Sequence, residues 1–250
     1  MKTIQPLKKS HSSRLIELAK ELSEHLNAVD FSSVAFCVYN PLQYAWESHK
    51  EYLNTFVHGQ VRVLYLGMNP GPWGMVQTGV PFGEVAAVRD WLQLKATAVQ
   101  PLVVHPKRPI QGLLCGRSEV SGKRLWGLFK ERFGTPQAFF RTQFVANYCP
   151  LAFMDAQARN LTPDKFPVAI RQKIESVCDD HLRKMIAILE PEYVVGIGGF
   201  AEACGKRCIP QELTDRPKLL RILHPSPASP AANRDWAGSV TRTLEENAVW

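Results

Sequence analysis

An asparagine and a histidine, far apart in the chain, stand in loops suited to holding a polar side chain still. The first loop is Gly67-Met-Asn-Pro-Gly-Pro-Trp-Gly-Met75, with two prolines and three glycines around Asn69. Proline fixes its own φ and restricts the residue before it, and glycine lets a ligand approach the backbone closely. The loop therefore presents the Asn69 amide beside several backbone N–H groups. An amide can orient a water molecule or a base edge, but it is no strong base. The second loop is His224-Pro-Ser-Pro-Ala-Ser-Pro230. An imidazole N–H aimed from it can stabilise an anion that develops during a reaction. Taken singly, such a histidine only caps a strand end and such an asparagine only orders a loop.

The elements around these loops decide whether the two side chains can meet. Each loop follows an apolar run, Val61–Leu66 in one case and Leu219–Leu223 in the other. Two more runs, Gln143–Ala146 and Tyr193–Ile197, also read as strands. Helical patterns separate them at Gly83–Leu94, Lys123–Arg132, Pro167–Leu189 and Phe200–Cys208, with a last one at Trp236–Asn247. Two further helical patterns precede the first strand, at Ser12–Ala28 and across 41–57, with Ser12 or Ser13 as a cap for the first. Short continuous apolar strands alternating with helices predict a three-layer α/β/α fold around a mostly parallel four-stranded sheet. Asn69, Asn147, Gly198 and His224 each fall at the end of one of those strands. The carboxyl ends of parallel strands share one edge, where ligands bind, so residues this far apart can converge in one cleft.

With 250 residues and 45% hydrophobic content the chain can bury a full core, and it reads as a single domain over 1–250 with N-terminal helices at about 10–57. A formal net charge of +7 favours a polyanionic partner. Lys107, Arg108, Arg117, Lys123 and Arg124 gather in one stretch, read here as a phosphate-contacting surface. Residues 1–9 read as a basic tail. The six cysteines are scattered, which fits reduced thiols inside a cell, in cytoplasm or nucleoid for a bacterium and in the nucleus for a eukaryote. Cys204 and Cys208 lie one helical turn apart, but no second pair completes a tetrahedral metal set. No apolar run is long enough to span a bilayer.

Together, the two loops resemble the two active-site motifs of the single-strand-selective monofunctional uracil-DNA glycosylases. The resemblance extends through Val76-Gln-Thr-Gly-Val-Pro-Phe-Gly-Glu84, Ser118-Glu-Val-Ser-Gly122, Asn147-Tyr-Cys-Pro-Leu-Ala-Phe153, Arg159-Asn-Leu-Thr-Pro163 and Asn233. It implies hydrolysis of the bond between deoxyribose and uracil, in single- and double-stranded DNA, after the base is flipped out, leaving an abasic site. C5-oxidised uracils come within the same expectation. It implies no cofactor or metal, and a monomer that binds DNA and no membrane. His224 would stabilise the departing base and Asn69 would place the water. Phe82 would stack on the flipped base and Asn147 would read its edge. Backbone at Met68, Gly71 and Met75 would complete the pocket. DNA contacts would come from about 157–171, including Arg159 and Asn160, and from the loop after His224, including Ser226.

The chain departs from the family's pattern at two places. Ala228 stands where family members can carry an arginine that fills the gap in the stack, and Trp73 stands where a phenylalanine is familiar, so the pocket mouth should be narrower. Three other readings stay open on sequence. Gly196-Ile-Gly-Gly-Phe-Ala201 fits a dinucleotide-binding fingerprint, although His224 holds the place of the acidic residue expected after the next strand. The chain could also be an idle DNA-binding module on this fold. A glycosylase for mismatched or deaminated bases is the third.

Overall fold

The computed structural model describes residues 9–210 and 216–250. The basic tail therefore lies outside the described residues except for Lys9, which pairs with Glu17 at 2.6 Å. The first helix, α1 (His11–Asn27), starts one residue before the expected pair of serines, because Ser10 supplies the cap by accepting the Ser13 N–H at 3.2 Å. Its Leu15, Leu18, Leu22 and Leu26 are buried against the long helix described below. The helical pattern at 41–57 is two helices. Asn40 and Pro41 open α2 (Pro41–Tyr44), and α3 (Trp46–Phe56) restarts after Ala45 leaves helical geometry. A short strand, β1 (Cys37–Tyr39), precedes them.

The central sheet holds the four expected strands: β2 (Val63–Gly67), β3 (Gln143–Asn147), β6 (Tyr193–Ile197) and β7 (Lys218–Ile222). All pairings are parallel and the spatial order is β3-β2-β6-β7. Every residue of β2 and β6 is buried, as continuous apolar strands covered on both faces must be. Helices α5 (Val120–Phe133), α7 (Val168–Leu189) and α8 (Gly199–Cys208) follow the predicted segments closely, and the last helix is α9 (Pro230–Glu246). Helix α9 begins earlier than Trp236 because Ser229 caps it by accepting the Ala232 N–H at 3.3 Å, with Pro230 in the first position, and a kink at Asp235 separates this first turn from the rest. Short helices α4 (Met75–Thr78) and α6 (Pro136–Phe140) complete the set.

Two features differ from the sequence reading. The helix expected over 83–94 shrinks to a short wide turn at Ala87–Trp91. Phe82 sits at φ +53, which breaks any helix entering there, and the Glu84 carboxylate accepts the Ala87 N–H at 2.9 Å. The second feature is a small antiparallel sheet, β1-β4-β5, from β1, β4 (Ala152–Met154) and β5 (Asn160–Leu161). These strands are too short to leave an alternating pattern in the sequence. Their turn folds 155–160 back toward the carboxyl edge of the main sheet.

Candidate active site

A cavity of about 480 Å³ opens where β2, β3 and β7 end. Met68, Asn69, Gly71, Met75, Phe82 and Asn147 line it, and Asn160, His224 and Ser226 close its other side. Of the residues expected to bind substrate or DNA through the two loops and the 157–171 segment, Arg159 stays outside this lining; its guanidinium is ion-paired with Asp155 at 2.6 Å. Topology alone accounts for the convergence, since β2 is central, β3 lies beside it and β7 is reached across β6.

Asn69 is half-buried, and its Nδ2 donates to the Leu151 carbonyl at 3.3 Å. That bond orients the amide and leaves its oxygen to accept from a water. The loop behind it is clamped by Gln77, which is fully buried. Gln77 donates to the Pro72 and Pro109 carbonyls, both at 3.1 Å, and accepts the Gln111 N–H at 2.8 Å. Proline stiffness and a buried carboxamide therefore fix the shape of the loop together.

His224 is held by its own loop. Its Nδ1 accepts the Ser226 backbone N–H at 3.1 Å, so the ring proton of the neutral form resides on Nε2. Burial lowers the imidazole pKa below its ordinary value, which favours that neutral form. The loop is tied to α5 through Arg124, which donates to the Pro225 carbonyl at 3.1 Å and to Asn233 Oδ1 at 2.9 Å. Asn233 in turn donates to the Pro227 carbonyl at 2.8 Å, and Trp236 Nε1 donates to the Leu223 carbonyl at 2.6 Å. Arg124 thus braces the loop, a contact that its place in the basic stretch did not announce.

Asn147 is the last residue of β3 and pairs in register with Gly67 of β2. A Cβ at position 67 would collide with Asn147 Oδ1 and with the Phe82 ring, so glycine is what lets both side chains reach the cavity. Asn147 Nδ2 donates to the Met75 sulfur at 3.3 Å. A thioether is a weak acceptor, and a carbonyl oxygen would readily replace it. Phe82, at positive φ, is kept in place by its carbonyl, which accepts from Trp126 Nε1 at 3.1 Å and from the Glu84 N–H at 2.7 Å. A non-glycine residue held there stores on the order of 1–3 kcal/mol of strain. Its ring centroid lies 6.3 Å from that of His224. The cavity therefore has a π face, an amide at one wall, an oriented amide at a second and a neutral imidazole donor at a third.

Several residues escaped the sequence reading. Glu119, Ser121 and Thr162 also line the cavity. The Ser118–Gly122 motif marked the place of Glu119 and Ser121 without indicating what they do, and Thr162 lay unnamed in the 157–171 segment. Trp73 lies outside the cavity lining, with the guanidinium carbons of Arg108 and Arg117 at 5.0 and 5.6 Å from its ring. Gly198 of the dinucleotide-like fingerprint packs beneath His224, where a Cβ would come within 3.1 Å of the histidine Cβ. The six cysteines are free and buried, and burial pushes Cys204 and Cys208 up to about 12. Among the described residues no group of three or more His, Cys, Asp or Glu side chains is placed to hold a metal, and no helix is long and apolar enough to cross a membrane.

The sequence profile of the uracil DNA glycosylase superfamily matches residues 54–244, and the chain belongs to that superfamily. Its relatives place it within the single-strand-selective monofunctional branch. The single-strand selective monofunctional uracil-DNA glycosylase of Rattus norvegicus is 43% identical over 97% of this chain and 87% of its own length. The Bos taurus protein of the same name is 43% identical over 97% of this chain and 89% of its own length. The crystal structure of SMUG2 from Pedobacter heparinus shares the fold, with a TM-score of 0.68, 14% identity, and coverage of 97% of this chain and 98% of that one.

Proposed function

We propose that this chain hydrolyses the N-glycosidic bond of uracil in single- and double-stranded DNA and leaves an abasic site. Oxidation at C5 of the uracil is tolerated under this reading. The observation that carries the proposal is the meeting of Asn69, Asn147 and His224 at one sheet edge, with the His224 proton assigned to Nε2. A target base flipped out of the stack would lie on Phe82. Asn147 offers a donor to the uracil O4 and an acceptor to its N3–H, exchanging its contact with Met75 for one with the base. As the bond to the sugar breaks, its electron pair leaves with the base. Negative charge then gathers on the uracil oxygens, where the His224 N–H is aimed. A neutral imidazole is a suitable donor to such an anion, because it stabilises charge without protonating the base outright. Asn69 holds the water that adds to the sugar carbon, and the proton of that water passes to solvent.

No lysine stands in either loop to attack the sugar as an amine, so the product is an intact abasic strand. Asn160 and Ser226, at the rim, meet the DNA backbone, and Arg159 joins them by giving up its exposed pairing with Asp155. Incubation with oligonucleotides bearing one uracil, 5-hydroxymethyluracil, cytosine or a mismatched thymine tests the reading. Release of free uracil and its C5-oxidised analogue alone supports it. Release of thymine from the mismatch without uracil release, or a borohydride-trapped protein–DNA adduct, contradicts it.

A further inference from the structure

Glu119 is a carboxyl where the chemistry described above has no use for one. It lines the same cavity as Asn69 and His224. Its Oε2 is buried and has no hydrogen-bond partner among the described residues. The oxygen lies in a cradle made by the Asn69 loop: a Cβ at Gly71 or at Gly74 would collide with it. On the other side, the segment that carries Glu119 is fastened to the Phe82 loop. Ser118 Oγ donates to Glu84 Oε1 at 2.8 Å, and a Cβ at Gly122 would strike the Phe82 carbonyl. Glu119 therefore stands between the loop with the water-placing amide and the loop with the stacking ring.

We propose that Glu119 is a positioning residue for excision, its carboxyl filling the Gly71–Gly74 cradle and so holding the loop that carries Asn69. This rests on the role given to Asn69 above. The carboxyl performs the task in its neutral form. The two neighbouring carboxyls are unequally served: Glu84 has a donor on each oxygen, from Ser118 and Ala87, and Glu119 Oε2 has none. Burial first, and the charge of Glu84 second, push Glu119 up to about 7, with the Gly74 amide pulling the other way. The Gly71–Gly74 loop brings no ionisable side chain to it. On its own segment Arg117 lies over Trp73 and Lys123 is exposed, and across the cavity burial favours neutral His224. Ionised Glu119 would set a charge with no cation against it behind the loop, eased by the Gly74 amide alone, and would face the departing base as that base becomes an anion. Excision therefore weakens as pH rises through the titration of Glu119.

The test is single-turnover uracil excision from single-stranded DNA between pH 6 and 9, with binding of an uncleavable uracil analogue measured alongside. Wild type, Glu119→Gln, Glu119→Ala and Asn69→Ala are compared. Glu119→Ala empties the cradle and should slow excision about tenfold or more with binding intact, the scale at which misplacing a reacting group acts. Glu119→Gln keeps shape and neutrality; it should match wild type at pH 6 and lack the wild-type decline, which approaches about tenfold per pH unit above the titration. Wild-type rates in Glu119→Ala, a Glu119→Gln as slow as Glu119→Ala, or an unchanged alkaline decline in Glu119→Gln overturns the proposal. Normal excision by Asn69→Ala would instead remove the reading of the site on which it rests.

Discussion

The two loops that build the cavity are held in opposite ways. The Asn69 loop leaves the central strand β2 and is fixed from behind by the buried Gln77 and by the buried Oε2 of half-buried Glu119, with no charged side chain of its own. The His224 loop leaves the edge strand β7 and is fixed from outside by α5 and α9, through Arg124, Asn233 and Trp236. The difference matches the tasks proposed for the two loops. Placing a water requires an amide whose position is rigid, and burial supplies that. Stabilising an anion requires a donor with a settled tautomer, and one backbone N–H, that of Ser226, supplies that locally. A loop on an edge strand also has solvent on one side, where DNA must enter.

The largest effect that sharpens this contrast is at His224. His224→Ala should lower single-turnover excision by roughly 10²–10³, as removal of an oxyanion donor does elsewhere. A mutant within a few-fold of wild type would make the histidine a strand cap. Asn69→Ala should follow with a loss of about 10–10², since water can still enter the cavity but is no longer oriented. Its folding should be unaffected, because the Gln77 clamp remains; a lowered melting temperature would show that Asn69 orders the loop instead.

Asn147 belongs to neither loop and tests recognition. Asn147→Asp replaces the donor with an acceptor, and one buried mismatch of about 1–3 kcal/mol corresponds to roughly a tenfold or greater loss on uracil. Unchanged uracil kinetics on single-stranded DNA at neutral pH would reject base reading by this residue. The smallest effect is at Arg124. Arg124→Ala removes the brace of the His224 loop and should cost a few-fold in rate and about 1–3 kcal/mol in stability. The salt dependence of DNA binding should stay the same. A salt slope reduced by about one would instead show Arg124 neutralising a phosphate.

The same contrast explains what could be read from the sequence. β2, β3 and β6 announced themselves because a buried parallel strand is a continuous apolar run, and β6 begins and ends where the pattern does; β7 is an edge strand with only Ile222 buried, and its run was legible although Arg221 interrupts it. The loops were legible because proline and glycine restrict and permit backbone in known ways. Once the strands were placed, topology put Asn69, Asn147 and His224 at one edge without further information. The braces were not legible. Gln77 is buried, and Glu119 has its Oε2 covered, by loops from elsewhere in the chain, and Arg124 looked like one more surface cation in a basic stretch. The strands β1, β4 and β5 were too short to show a period, so the fold of the Asn160 rim could not be anticipated.

The central claim is that the two loops act on the breaking bond from its two sides, after the base has been bound by others. Binding of DNA carrying an uncleavable uracil analogue by Asn69→Ala and His224→Ala, set beside their excision rates, tests it most directly. Affinities within a few-fold of wild type, with both rates strongly reduced, are the predicted result. Affinities that fall as far as the rates would contradict it, and would make Asn69 and His224 binders of the base.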